Sequence, residues 1–176
     1  MNRYCIEIYT PDLKYIHFQF LTCSKYSYLN NSQILYSNMA ISKFSITSEY
    51  HNISLVSKKI KSFFVKERVD LEISDPVLIS LMEALNNSIE HSYVEESGHN
   101  IDIIVSLSKT KVEIDILETG IPRTNFDKPK LQFDPDDLST APEGGMGLYI
   151  IDSLMDSVSY TSEKGVNTTS FSKRIK

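Results

Sequence analysis

Between Leu78 and Ile89 the apolar residues Leu78, Leu81, Met82, Leu85 and Ile89 recur at helical spacing. A stripe of that period commits the segment to an α-helix with one face to bury, and so to a fold that supplies a second layer. Asp75-Pro76 gives the helix a start, with the aspartate as N-cap and proline at the first position. Glu83, Asn87 and His91 are four residues apart, so on this helix they stack along one face, roughly opposite the apolar stripe. A carboxylate, an amide and an imidazole in one row offer a base, a neutral oxygen ligand for a hard cation and a polar anchor. Alone, a polar face opposite an apolar stripe is also what an ordinary surface helix shows. Asn86-Asn87-Ser88, however, has weak helix propensity at mid-helix, and ligation by Asn87 would be a reason for it.

Other periodicities supply the second layer. Phe44-Ser45-Ile46-Thr47 alternates as a strand, and residues 51–69 carry Ile53, Val56, Ile60, Phe63 and Phe64 at helical spacing. Ile101–Leu107 and Val112–Leu117 are β-rich runs joined by Ser108-Lys109-Thr110-Lys111, an antiparallel hairpin signal. Leu148–Met155 reads as a short helix, followed by strands over Val158–Thr161 and Thr169–Arg174. Residues 120–145 are proline-bearing and aperiodic, a long loop of the kind that serves as a lid over a ligand, here placed at 122–143. The order β-α-α-β-β-lid-α-β-β predicts an α+β fold: one mixed, mainly antiparallel sheet with helices on one face.

At 176 residues the chain reads as one domain. Residues 39–176 carry the regular pattern. Residues 1–38, rich in Tyr, Ser and Asn with one strand-like run at 15–21, read as either an accessory N-terminal extension or an upstream over-call of the start codon. The net charge of −5 argues against a nucleic-acid surface, and the basic run Lys58-Lys59-Ile60-Lys61 with Lys66 and Arg68 reads as a solvated helix face. Cys5 and Cys23 make neither a disulfide framework nor a zinc spacing. No signal peptide and no bilayer-length apolar run are visible, so a cytoplasmic location without a membrane partner is the expectation.

Two further segments carry chemistry. Glu118-Thr119-Gly120-Ile121-Pro122 follows a strand: it is either a strand end running into a turn, or an acidic acceptor for a base amino group, with Gly120 letting backbone come close. Gly144-Gly145-Met146-Gly147-Leu148 is either a flexible entry to a helix, or a helix start whose N–H groups receive phosphate.

In this order and spacing the three segments resemble the N, G1 and G2 boxes of the ATPase superfamily shared by gyrase, heat-shock chaperone, histidine kinase and mismatch-repair proteins. Within it, Glu83-Ala84-x-x-Asn87-x-x-x-His91-Ser92-Tyr93 and the run from Gly145 to Val158, with Leu154-Met155-Asp156, are similar to the bacterial anti-sigma factor serine kinases of the partner-switching type. The resemblance covers about residues 43–176 and implies a Bergerat-type ATPase sandwich that uses ATP and Mg2+. It implies a homodimer whose partners are an anti-anti-sigma protein of the STAS type and a sigma factor. By position, Glu83 would be the general base and Asn87 the magnesium ligand, with His91 closing the first box. Glu118 would take the adenine amino group beside Gly120, while Gly145, Met146, Gly147 and Leu148 would hold phosphates through their amides. Thr168 would lie beneath the adenine pocket. Two positions depart from the pattern: Glu118 stands for an aspartate, whose extra methylene pushes the adenine outward or calls for a water, and Asn167 stands for a glycine. The alternative is a catalytically inactive module of this fold that acts by sequestering a partner.

Overall fold

The computed structural model describes residues 39–123 and 146–175. Expectations for residues 1–38, for Cys5 and Cys23, for Gly144 and Gly145, and for nearly all of the 122–143 lid lie outside the described residues. Along the chain come β1 (Ala40–Thr47), α1 (Tyr50–Lys66), α2 (Leu71–Asn87), a π-helical turn (Ser88–Ser92), β2 (Asn100–Leu107), β3 (Lys111–Glu118), α3 (Met146–Leu154), β4 (Ser157–Glu163) and β5 (Val166–Arg174). The strands form one sheet in the order β1-β2-β3-β5-β4, each neighbouring pair antiparallel. The α+β expectation holds.

The period-two pattern of the strands decides which face is covered. Phe44 pairs with Ile103, Ile103 with Ile116, and Ile114 with Phe171, so one face of the sheet is a continuous apolar layer. The intervening positions, Ser45, Asp102, Asp115 and Ser170 among them, point to the other face. Onto the apolar layer pack Ile53, Val56, Ile60 and Phe64 of α1, Val77, Leu81 and Leu85 of α2, and Ile151 of α3, in one core. Full burial of each large side chain contributes about 1.5–3 kcal/mol. α2 sits centrally, touching β3 and β5 as well as both other helices. The lysines at 58, 59 and 61 are exposed, as a solvated helix face requires.

Three local expectations are corrected. First, α2 begins at Leu71 with Asp70 at its N-cap, so Asp75-Pro76 is not the start and Pro76 sits inside the helix. Ser74 and Val77 are buried in line with Leu78 and Leu81, and Ile73 packs against the same core. Packing of that extra turn outweighs the hydrogen bond that Pro76 cannot donate. Second, Met82 is 40% exposed. It lies on the shoulder of a stripe that Ala84 completes instead. Third, the α-helix stops at Asn87. The Tyr93 N–H reaches back five residues to the Ser88 carbonyl at 3.1 Å, and wider π-helical winding takes over.

Candidate functional site

Glu83 and Asn87 lie one turn apart on the last turns of α2, both partly buried. α3 crosses this end of α2 with Gly147 directly over the pair. A Cβ at Gly147 would stand 3.0 Å from Asn87 Nδ2, 3.1 Å from Glu83 Oε2 and 3.3 Å from Asn87 Oδ1. Only a glycine leaves that space open. The Asn87 Nδ2 atom is buried and has no hydrogen-bond partner among the described residues, a state shared only by the hydroxyls of Ser57 and Ser80. An amide buried without a partner is unfavourable by about 1–3 kcal/mol unless a ligand or water completes it. Nδ2 is a donor that an acceptor such as an oxyanion oxygen would complete. Asn87 Oδ1 and the Glu83 carboxylate could present oxygen to a hard cation in the same open space. Met146 and Leu148 flank Gly147 in the first turn of α3, where N–H groups have no intrahelical acceptor and favour an anion. Gly145 lies outside the described residues.

His91 does not continue the row. It sits in the π-helical turn, exposed, because winding wider than 3.6 residues per turn breaks the four-residue stacking after Asn87.

The second half of the site is the end of β3. Glu118 is only 5% exposed and points to the helix-covered face. Its Oε1 accepts from Asn167 Nδ2 at 2.8 Å, and its Oε2 accepts from the Gly120 N–H at 2.5 Å. Asn167 Nδ2 donates as well to the Gly120 carbonyl, at 3.0 Å. Gly120 is required here by close approach of the chain: a Cβ would overlap the Ser92 carbonyl oxygen and stand 2.7 Å from its carbon. The Ile121 N–H donates to that same carbonyl at 2.7 Å. Gly120 thus accommodates the backbone of the π-helical turn, a contact the sequence reading did not foresee. Tyr93 adds a stitch, its hydroxyl donating to the Asn100 carbonyl at 2.9 Å and accepting the Thr119 N–H at 3.1 Å.

Thr168 does not join Glu118. It pairs with Leu117 and Thr161, whereas Glu118 pairs with Asn167, so the Thr168 side chain belongs to the opposite face of the sheet. Thr169 is the β5 threonine on the Glu118 face. Asn167, which the sequence reading noted only as a departure, is the residue that register brings to the carboxylate. Arg123 donates its backbone N–H to the Tyr160 hydroxyl at 2.9 Å. Burial pushes its guanidinium below the usual value, while Tyr160, Glu118 and Glu90 pull the other way.

The fold is an antiparallel sheet covered on one face by helices, with Glu83, Asn87 and Gly147 gathered where α2 meets α3. Residues 46–173 match the family model described as a histidine kinase-like ATPase domain. The chain is 30% identical over 135 residues to the serine-protein kinase RsbW of Staphylococcus aureus, in strains bovine RF122 / ET3-1 and MRSA252 alike, covering 74% of this chain and 82% of the relative. It therefore belongs to the histidine kinase-like ATPase family, among the serine-protein kinases of the RsbW type. The crystal structure of the RsbU and RsbW domains of Rv1364c from Mycobacterium tuberculosis shares the fold, with a TM-score of 0.55 at 13% identity over 77% of this chain. This chain spans 32% of that longer chain.

Proposed function

We propose that this protein is an ATP-dependent protein serine kinase that phosphorylates a small anti-anti-sigma partner of the STAS type and, when that partner is phosphorylated, holds a sigma factor. The observation that carries the reading is the placement beneath Gly147 of Glu83 and of Asn87, whose Nδ2 has no partner among the described residues. Asn87 would present its oxygen to magnesium, and the α3 amides of Met146, Gly147 and Leu148 would receive phosphate oxygens. Magnesium, when bound, offsets the charge that develops on the transferring phosphoryl group. Glu83, beside Asn87, would take the proton of the attacking serine hydroxyl. Glu118 would accept from the amino group of the base, each of its oxygens retaining a lone pair beyond the protein bond it already accepts. No helix among the described residues is long and apolar enough to cross a membrane. A homodimer acting in the cytoplasm, away from nucleic acid, completes the proposal.

One observation favours a second reading, partner binding without phosphoryl transfer. Both Glu118 oxygens already have protein donors, which leaves the base less to gain. Incubation of the full chain with Mg-ATP and a co-purified small partner, followed by mass spectrometry of the partner, separates the two. The kinase reading requires a phosphoserine that disappears with Glu83→Ala. Stable complex formation with an unmodified partner would favour the second reading.

A further inference from the structure

We infer that Asn167 is a positioning residue for nucleobase recognition: it holds the Glu118 carboxylate in a single orientation, the one from which it would receive the base amino group. The inference rests on the reading of Glu118 as the acceptor for that group. A glutamate at the end of a strand has three side-chain torsions and many places for its carboxylate. Here the side chain is only 5% exposed, and two donors on opposite oxygens fix it: Asn167 Nδ2 at 2.8 Å and the Gly120 N–H at 2.5 Å.

Asn167 is itself 2% exposed, on the strand position directly opposite Glu118. Its second bond from the same nitrogen, to the Gly120 carbonyl at 3.0 Å, fixes the donor relative to the turn that carries the other donor. Carboxylate, amide and turn are thus one closed unit. Remove the amide, and Oε1 loses its only protein donor among the described residues. The carboxylate must then turn toward water to recover one. The phosphate end of the site, at Glu83, Asn87 and Gly147, is built from different elements and does not depend on this bond.

The test compares ATP with purine riboside triphosphate, which has the same ring and phosphates but lacks the 6-amino group. Affinities are measured by titration calorimetry with magnesium on the full chain, its Asn167→Ala and Asn167→Ser variants, and Glu118→Gln. The wild-type chain should prefer ATP by about ten-fold or more, the size of one hydrogen bond to a charged group. Asn167→Ala should bring that preference close to one while leaving the affinity for purine riboside triphosphate unchanged. A merely structural role would weaken both nucleotides together. Asn167→Ser, with one donor on a shorter arm, should fall between, and serves in place of Asn167→Ala if that chain melts below the assay temperature. In the Glu118→Gln background the effect of Asn167→Ala should vanish, because the two act through one contact.

A wild-type chain that binds both nucleotides equally would refute the Glu118 reading. A wild type that discriminates, with Asn167 variants that discriminate equally, would refute this inference alone. Failure of both Asn167 variants to fold would also refute it, by making the residue a requirement of the fold.

Discussion

Asn87 is a weak helix former at the last position of α2, and its Nδ2 atom is buried without a partner among the described residues. Both features are unfavourable in the free protein, and both are accounted for if a ligand completes the amide. Glu83, one turn earlier, faces the same space but is asked to do something different. We predict that Asn87→Ala lowers ATP affinity by about 10–100-fold, as the loss of a contact to a charged ligand does. Glu83→Ala should bind ATP nearly normally and lose about 10²–10⁴-fold in transfer, as the loss of a positioned base does. Titration calorimetry and single-turnover transfer read the two effects separately. This pair was legible in the sequence because four residues on one helix is a local distance. The Glu118–Asn167 contact was not, because it spans 49 residues and exists only through the β3–β5 register. The same dependence on register hid the fact that Thr168 faces away from Glu118. A one-position shift along a strand exchanges its faces.

Among the elements, the end of α2 joins the two halves of the site. Its α-helical turns carry Glu83 and Asn87, and its π-helical turn carries Ser92 to the end of β3. The sequence periodicity gave the element types because the apolar stripes are strong. It misplaced the start of α2, where packing of Ile73, Ser74 and Val77 overrides the proline signal, and it had no means of seeing the π winding that displaces His91. The two glycines at the helix junctions should respond oppositely to alanine. Gly120→Ala forces a methyl against the Ser92 carbonyl backbone, which cannot yield as a side chain would. A stability loss of about 1–3 kcal/mol should follow, read as a lower melting temperature. Gly147→Ala meets only side-chain ends, at 3.0 and 3.1 Å, and gains helix propensity. Its melting temperature should be equal or higher while ATP affinity falls about ten-fold, since the methyl occupies the space over Glu83 and Asn87. A parallel loss of stability and binding in Gly147→Ala would make that glycine a packing residue only.

At the scale of the whole molecule, one apolar sheet face and three helices form a single core among the described residues, with Glu83, Asn87 and Gly147 on the covering helices and Glu118 on the covered face. The helix-covered face was predictable because the apolar stripes of α1 and α2 and the alternation of the strands are strong. The matched family segment, residues 46–173, begins beyond residues 1–38. We therefore predict that residues 39–176 fold alone and are stabilised by Mg-ATP to the same extent as the full chain, measured as the shift in melting temperature. Loss of the cooperative melt on removing residues 1–38 would place part of the core in that segment. The account depends most on magnesium and nucleotide meeting at Asn87. Titration calorimetry of the full chain with ATP, in magnesium and again in excess chelator, tests this directly. Binding should be readily measured with magnesium, at least about ten-fold weaker in chelator, and insensitive to magnesium in Asn87→Ala. Equal affinity with and without magnesium in the wild-type chain would contradict the account.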